Sequence, residues 1–162
     1  MIAMHNEVVD FKGNNLIKAH PDDFGYDIRM GQEGLLSPGC YGLFDTGLHI
    51  YMPRVLGAHI KARSSLLKQG CITDGTIDSG YTGSIKIGLY NLHPNEPLRW
   101  QKGDRLVQVV FYIRPEAFLN LLPEFQYGFQ LLQFDISEKP MSQWPGVQNH
   151  RGINGFGSSG IN

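Results

Sequence analysis

The stretch Gly75–Asn91, GTIDSGYTGSIKIGLYN, decides how the chain is read. It carries one acid, Asp78, turns through Ser79-Gly80, and places Tyr81 just after the turn. A second break follows at Thr82-Gly83. From there Ser84, Lys86, Gly88 and Tyr90 alternate with Ile85, Ile87 and Leu89, the period of a half-buried strand. The pattern predicts a hairpin with an acid and an aromatic ring near its tip. Such a carboxylate can activate a water while the ring packs on a ligand. The plain alternative is an ordinary hairpin with a solvated acid and a surface tyrosine.

Composition narrows the class. At 162 residues the chain has room for one domain with a real core. A formal net charge of -1 provides no global field for nucleic acid or an anionic membrane, so a phosphate site must be built locally. The 20 glycines and 9 prolines separate many short apolar runs, which favours an all-β fold. Cys40 and Cys71 lack metal-ligand spacing and read as reduced thiols. No apolar run is long enough to span a bilayer, and MIAMHNEVVDFKG lacks a charged-then-apolar leader pattern. A soluble, cytoplasmic protein is the expectation.

Outward from the hairpin, Leu16–Ala19 reads as a short first strand. Tyr26–Met30 is extended and holds Asp27, which needs a partner, an edge position or a site role. Leu48–Met52 and His59–Arg63 alternate as strands. In ARSSLLKQG (Ala62–Gly70), Ser64 or Ser65 can cap a one-turn helix that Gly70 ends, beside Arg63. Hydroxyls and an arginine at a helix start suit an anion, although a plain cap with a solvated arginine explains them too. Leu106–Ile113 is nearly all apolar and reads as a strand buried on both faces, with Gln108 as its lone amide. Residues 114–150 show no clean period and contain Pro123, Pro140 and Pro145, so they read as an extended arm lying on other protein surface, with a partly disordered insertion as the alternative. The end, HRGINGFGSSGIN, is glycine-rich. It fits neither a triphosphate-binding loop nor a dinucleotide fingerprint, and by itself reads as a flexible tail.

The order of these segments is more specific than any one of them. GYDIR (Gly25–Arg29), ARSSLLKQG, GTIDSGYTGSIKIGLYN, GDRLVQVVF (Gly103–Phe111) and RGINGFGSSG (Arg151–Gly160) together resemble the trimeric dUTPase family of dUTP diphosphatases. The resemblance implies a distorted jelly-roll or β-barrel subunit with one short helix. The body would cover residues 1–150, with an elaborated arm at 114–150, and a tail at 151–162 would complete a neighbouring site. It implies a homotrimer with shared active sites that hydrolyses dUTP to dUMP and pyrophosphate, limiting uracil in DNA and supplying dUMP for dTTP synthesis. Asp78 would be the carboxylate that activates water, supported by Asp27 and Gln108. Tyr81 would pack on deoxyribose and exclude a 2′-hydroxyl. Backbone around 71–76 would read the uracil edge, with Gly75, Ile77 and Lys86 among the substrate-binding positions. Arg63, Ser64, Ser65 and Gln108 would hold phosphates. From the tail, Arg151, Gly157, Ser158 and Ser159 would clamp the terminal phosphates, and Phe156 would cover the base. Mg²⁺ would be carried by substrate phosphates and water, without direct protein ligands.

Two rival readings remain. The related dCTP deaminases share the Arg-Ser-Ser and Ile-Asp segments but use a glutamate as proton shuttle in the strand after the hairpin, where this chain has Gly88. Bifunctional relatives exist, and the hairpin can be read either way. The other rival is a nucleotide-gated protein whose long arm binds a regulatory partner.

Overall fold

The computed structural model describes residues 5–13, 16–114 and 132–144. Among these, the chain forms β1 (His5–Lys12), β2 (Tyr26–Arg29), β3 (Gly34–Leu36), β4 (Tyr41–Asp45), β5 (His49–Tyr51) and β6 (Leu56–Ala62). A five-residue helix, α1 (Ser64–Lys68), follows. Then come β7 (Cys71–Ile72), β8 (Asp74–Asp78), β9 (Lys86–Asn91), β10 (Leu98–Trp100), β11 (Arg105–Ile113) and β12 (Leu132–Glu138), with a 3₁₀ turn at Met141–Gln143. The all-β expectation is met.

Four sheets enclose one core. Their strand orders are β12-β1-β5, β10-β3, β2-β11-β6-β8 and β4-β9-β7. Period-two alternation decides which residues face inward. On β6 and β11, Ala58, Ile60, Val107 and Val109 are buried, while Lys61 is exposed and His59, Gln108 and Val110 are half-exposed. Phe44 packs edge-on to Trp100 with ring centroids 4.7 Å apart, bridging the β4 and β10 sheets.

Several expectations need correction. β8 and β9 do not pair as a hairpin ladder: β8 bonds to β6, and β9 bonds to β4 and β7. β11 is buried on one face only. On its second face Gln108, Val110 and Tyr112 stay half-exposed. Leu16–Ala19 is not a strand. Ile17 makes a single bridge to Asp27 before the chain turns, with the His20 N–H bonded to the Asp23 carboxylate. The first strand is instead β1, which the sequence pattern does not announce. Neither Ser64 nor Ser65 caps α1. Arg63, still extended, is the cap residue and makes no side-chain cap bond, and its carbonyl accepts from Leu66 and Leu67. Gly70 ends the helix as expected, at φ +71°, where a side chain would be strained.

Part of the arm lies on the body of its own chain. β12 runs parallel to β1 from His5↔Leu132 to Phe11↔Glu138. Asp10, 2% exposed, accepts from Ser137 Oγ at 2.6 Å and pairs with Lys139 Nζ at 3.0 Å. Trp144 ends the described segment 6.2 Å from Tyr51, ring to ring. Residues 115–131, 145–150 and the tail at 151–162 lie outside the described residues.

Asn91, on β9 opposite Cys71 of β7, ties in β3 and the loop after β9. Its Nδ2 donates to the carbonyls of Leu36 (3.0 Å) and Glu96 (2.9 Å), and its Oδ1 accepts from the His93 N–H at 3.0 Å. The residue is fully buried. Asn91→Ala would strand three backbone groups away from water and should destabilise the fold by about 3 kcal/mol. Urea unfolding at fixed protein concentration checks this; an unchanged midpoint would show that water replaces the amide.

Candidate active site

The loop after β8 is pinned by a chain of hydrogen bonds. The Tyr81 N–H donates to the Asp78 carbonyl at 2.9 Å, closing the turn at Ser79-Gly80. The Tyr81 hydroxyl donates to the Ser84 carbonyl at 2.8 Å. Burial, and then the negative charge of Asp45, push its pKa up, so it stays a neutral donor. Ser84 Oγ donates to the Asp45 carboxylate. That bond, with the Gly47 N–H and nearby Lys86, holds the Asp45 carboxyl below the usual range against the opposing effect of burial. His49 Nδ1 lies 3.0 Å from the Thr82 carbonyl, which can only accept, so Nδ1 carries the hydrogen. Asp78 stands exposed at the end of β8, and Tyr81 is half-buried against the core. Sequence reasoning finds Asp78, Tyr81 and Lys86 but not the supports Asp45, Ser84 and His49, which come from other strands and loops. By sequence alone His49 reads as an ordinary surface or core histidine.

A second group gathers where β2, β6 and β11 meet. Asp27 is buried (4% exposed) and paired at each oxygen: Arg63 Nε reaches Oδ1 at 2.8 Å, and Arg105 Nη1 reaches Oδ2 at 2.9 Å. Arg63 also donates to the Arg105 carbonyl at 3.0 Å. Asp27 thus sits on an edge strand and is neutralised by two guanidiniums. Gln108 sits opposite both Asp27 and Lys61, and its amide lies over Gly25; a Cβ at Gly25 would fall 2.3 Å from Gln108 Oε1. Only glycine allows that approach. Ser64 and Ser65 stand in the first turn of α1, next to Arg63, and both are exposed. Arg105, which reads as part of a turn, is the member of this group that the sequence does not single out.

The two groups share one sheet face. Directly paired residues in antiparallel strands point the same way, so Asp27, Gln108, Lys61, Asp74, Thr76 and Asp78 all lie on the outer face of β2-β11-β6-β8. They sit at opposite ends of it. Asp78 is opposite Gly57, whereas Gln108 is opposite Lys61, and Arg63 follows β6. At roughly 3.4 Å per residue, Asp78 is about 20 Å from Arg63 along the sheet. No one phosphate can touch both within a chain. Between the groups, Lys61 pairs with Asp74, and the His59 ring stacks on Tyr112 at 4.6 Å.

The divergence of β8 and β9 makes a further feature. β8 uses one edge for β6, and β9 uses one for β4, with β7 taking the other only at Tyr90 and Asn91. The facing edges of Gly75–Ile77 and Lys86–Leu89 are therefore not laddered to each other. Backbone donors and acceptors in such a slot can meet the edge of a flat polar ring. Gly75 and Ile77 lie on the inner side of β8, and Ile77 is buried. Among the described residues no three His, Cys, Asp or Glu side chains cluster as a metal site. Arg151, Phe156, Gly157, Ser158 and Ser159 lie outside the described residues.

Comparison with known proteins places these groups in context. The family model for dUTPase matches residues 12–124. The deoxyuridine 5′-triphosphate nucleotidohydrolase of Corynebacterium jeikeium is 32% identical over 148 residues, covering 89% of this chain and 84% of that protein. The enzyme of that name from Clostridium tetani is 34% identical over 146 residues, covering 88% and 86%. Among solved structures, native EIAV dUTPase superposes with a TM-score of 0.62 at 21% identity, over 66% of this chain and 89% of that one. A mutant dUTPase from phage phi11 of S. aureus, described as coordinating a structural Mg(II) ion, gives 0.61 at 19% identity, over 65% and 90%. These structural likenesses concern the fold.

Asp27→Asn removes the charge that holds two guanidiniums together while keeping the side-chain shape. Both arginines keep some water contact, so the loss should be about 2–3 kcal/mol, below that of a fully buried pair. Chemical unfolding at fixed protein concentration measures it. A midpoint equal to the parent's would mean that solvent alone neutralises Arg63 and Arg105.

Proposed function

The chain belongs to the dUTPase family, and from that premise we propose that it hydrolyses dUTP to dUMP and pyrophosphate at sites shared between copies of itself. The observation that carries the proposal is the split of the site residues into two groups about 20 Å apart on one sheet face. A second copy, turned so that its Arg63 end meets the Asp78 end of the first, supplies what each lacks. A homotrimer closes that arrangement with three equivalent sites.

Each residue then has a task that its surroundings suit. Asp78 accepts a proton from water as the water oxygen bonds to the α-phosphorus and the bond to the bridging oxygen breaks, releasing pyrophosphate. Its exposed position at the end of a pinned strand leaves it open to that water. Tyr81, with its hydroxyl committed to Ser84, offers a fixed ring to the deoxyribose. The slot between β8 and β9 reads the uracil edge with backbone groups, and a cytosine there leaves donors or acceptors unmatched. Lys86 stands at the slot mouth. On the partner side, Arg63, Ser64, Ser65 and Gln108 bind phosphates. Asp27 keeps Arg63 aimed, and its remaining lone pairs can accept from metal-bound water. The tail residues Arg151, Phe156, Gly157, Ser158 and Ser159 close over the nucleotide.

The donor set fits Mg²⁺ arriving with the triphosphate, because hard oxygen ligands come from phosphates and water, and Asp27 is already paired twice. Bound there, the ion neutralises and orients the phosphates. Deamination is disfavoured because Gly88 stands where a shuttle glutamate would be needed, and a glycine carries no proton-transfer group. A regulatory role stays a second reading, favoured by staphylococcal phage 80alpha dUTPases of this fold, described as controlling transfer of virulence genes.

Incubation of the protein with dUTP and dCTP separately, with Mg²⁺, should give dUMP and pyrophosphate from dUTP and leave dCTP intact. Uracil products from dCTP would reverse the assignment. Asp78→Asn should lower kcat by at least about 100-fold, the usual worth of a general base, with dUMP affinity changed little. Parental turnover in the Asp78→Asn variant would remove Asp78 from the mechanism.

A further inference from the structure

Thr73 stands where the chain leaves the β4-β9-β7 sheet and enters β2-β11-β6-β8. It is therefore at the closed end of the slot between β8 and β9. Burial alternates without a break from Cys71 to Asp78, so Cys71, Thr73, Gly75 and Ile77 share the inward side. Thr73 is 8% exposed, and among the described residues its Oγ1 has no hydrogen-bond partner.

Other buried polar side chains here are satisfied. Thr46 Oγ1 donates to the Ile85 carbonyl at 2.7 Å and accepts from the Leu48 N–H at 3.1 Å. Asn91 uses both ends of its amide. A buried hydroxyl without a partner is costly and calls for a function. Space for a partner lies next to it. On the same inward side, a Cβ added at Gly75 would have, among the described residues, only Ile60 Cβ within 4 Å, at 3.9 Å.

We propose that the Thr73 hydroxyl is a base-recognition group: it hydrogen-bonds the polar edge of the pyrimidine, directly or through one water. The inference rests on the dUTPase reading of the slot and adds a side chain to it. A hydroxyl rotates and can donate or accept. It therefore adds affinity for the base, while the fixed backbone groups of the slot discriminate between bases. The group does not touch the phosphates, so its loss acts on base binding and not on the chemical step.

The test compares Thr73→Val, which keeps shape and removes the hydroxyl, with Thr73→Ser, which keeps the hydroxyl. Inhibition by dUMP reports base binding, and inhibition by pyrophosphate reports the phosphate side alone. The expected result for Thr73→Val is a rise of about tenfold in KM for dUTP and in the dUMP inhibition constant, the worth of one hydrogen bond. kcat should stay within about twofold and pyrophosphate inhibition should not move. Because the hydroxyl has no partner among the described residues, the Tm of this variant should not fall. Thr73→Ser should bind dUMP like the parent. Unchanged dUMP inhibition in Thr73→Val, or equal weakening towards dUMP and pyrophosphate, would overturn the proposal. If Thr73→Val does not fold, Thr73→Ala against Thr73→Ser makes the same comparison. A parent protein that binds dUMP yet never turns over dUTP would sink the proposed hydrolysis, and direct dUMP binding to the same variants would then decide this inference separately.

Discussion

A carboxylate held between two guanidiniums fixes one half of the candidate site. Asp27 sits on β2, Arg63 at the junction of β6 and α1, and Arg105 at the start of β11. Left unpaired, a buried aspartate would be expelled or protonated. Paired, it draws three separate segments to one end of the sheet. The start of α1 and its two serines are placed by that junction, and the adjacent Gln108 amide is placed by the absence of a side chain at Gly25. The arginines are thus held in place by the fold itself, with little side-chain freedom left to lose.

The other half obeys a different constraint. β8 and β9 are joined by a short loop but belong to different sheets, so their facing edges diverge. Natural proteins cover or blunt free strand edges. Here the two edges flank the loop that holds Asp78 and Tyr81. The loop cannot collapse into the slot because Asp45, Ser84 and His49 hold it in place. Rigidity at the tip and openness at the base come from one topological choice.

The candidate site is partly legible in the sequence. Asp78, Tyr81, Arg63, Gln108 and Asp27 stand in short motifs with unusual chemistry for their strands: an acid after an apolar residue at a turn, an amide inside an apolar run, an acid within extended chain. Their supports are not legible there. Asp45, His49, Ser84 and Arg105 have no local signature, and their roles arise from contacts between residues far apart in sequence. β1 escapes a local reading because its partner, β12, lies towards the other end of the chain and the pair is parallel, with no connecting turn to announce it.

The sequence by itself determined the class of the fold and the kinds of residue at the site, because alternation, turn residues and motif order are local properties written in neighbouring positions. Only the tertiary structure decided three further matters. It separated β8 from β9 into two sheets, which no periodicity distinguishes from a paired hairpin. It laid part of the arm on β1 through the buried Asp10 and its bonds to Ser137 and Lys139. It also set Asp78 and Arg63 at opposite ends of one face, because strand register, a property of long-range pairing, converts positions in sequence into distances in space.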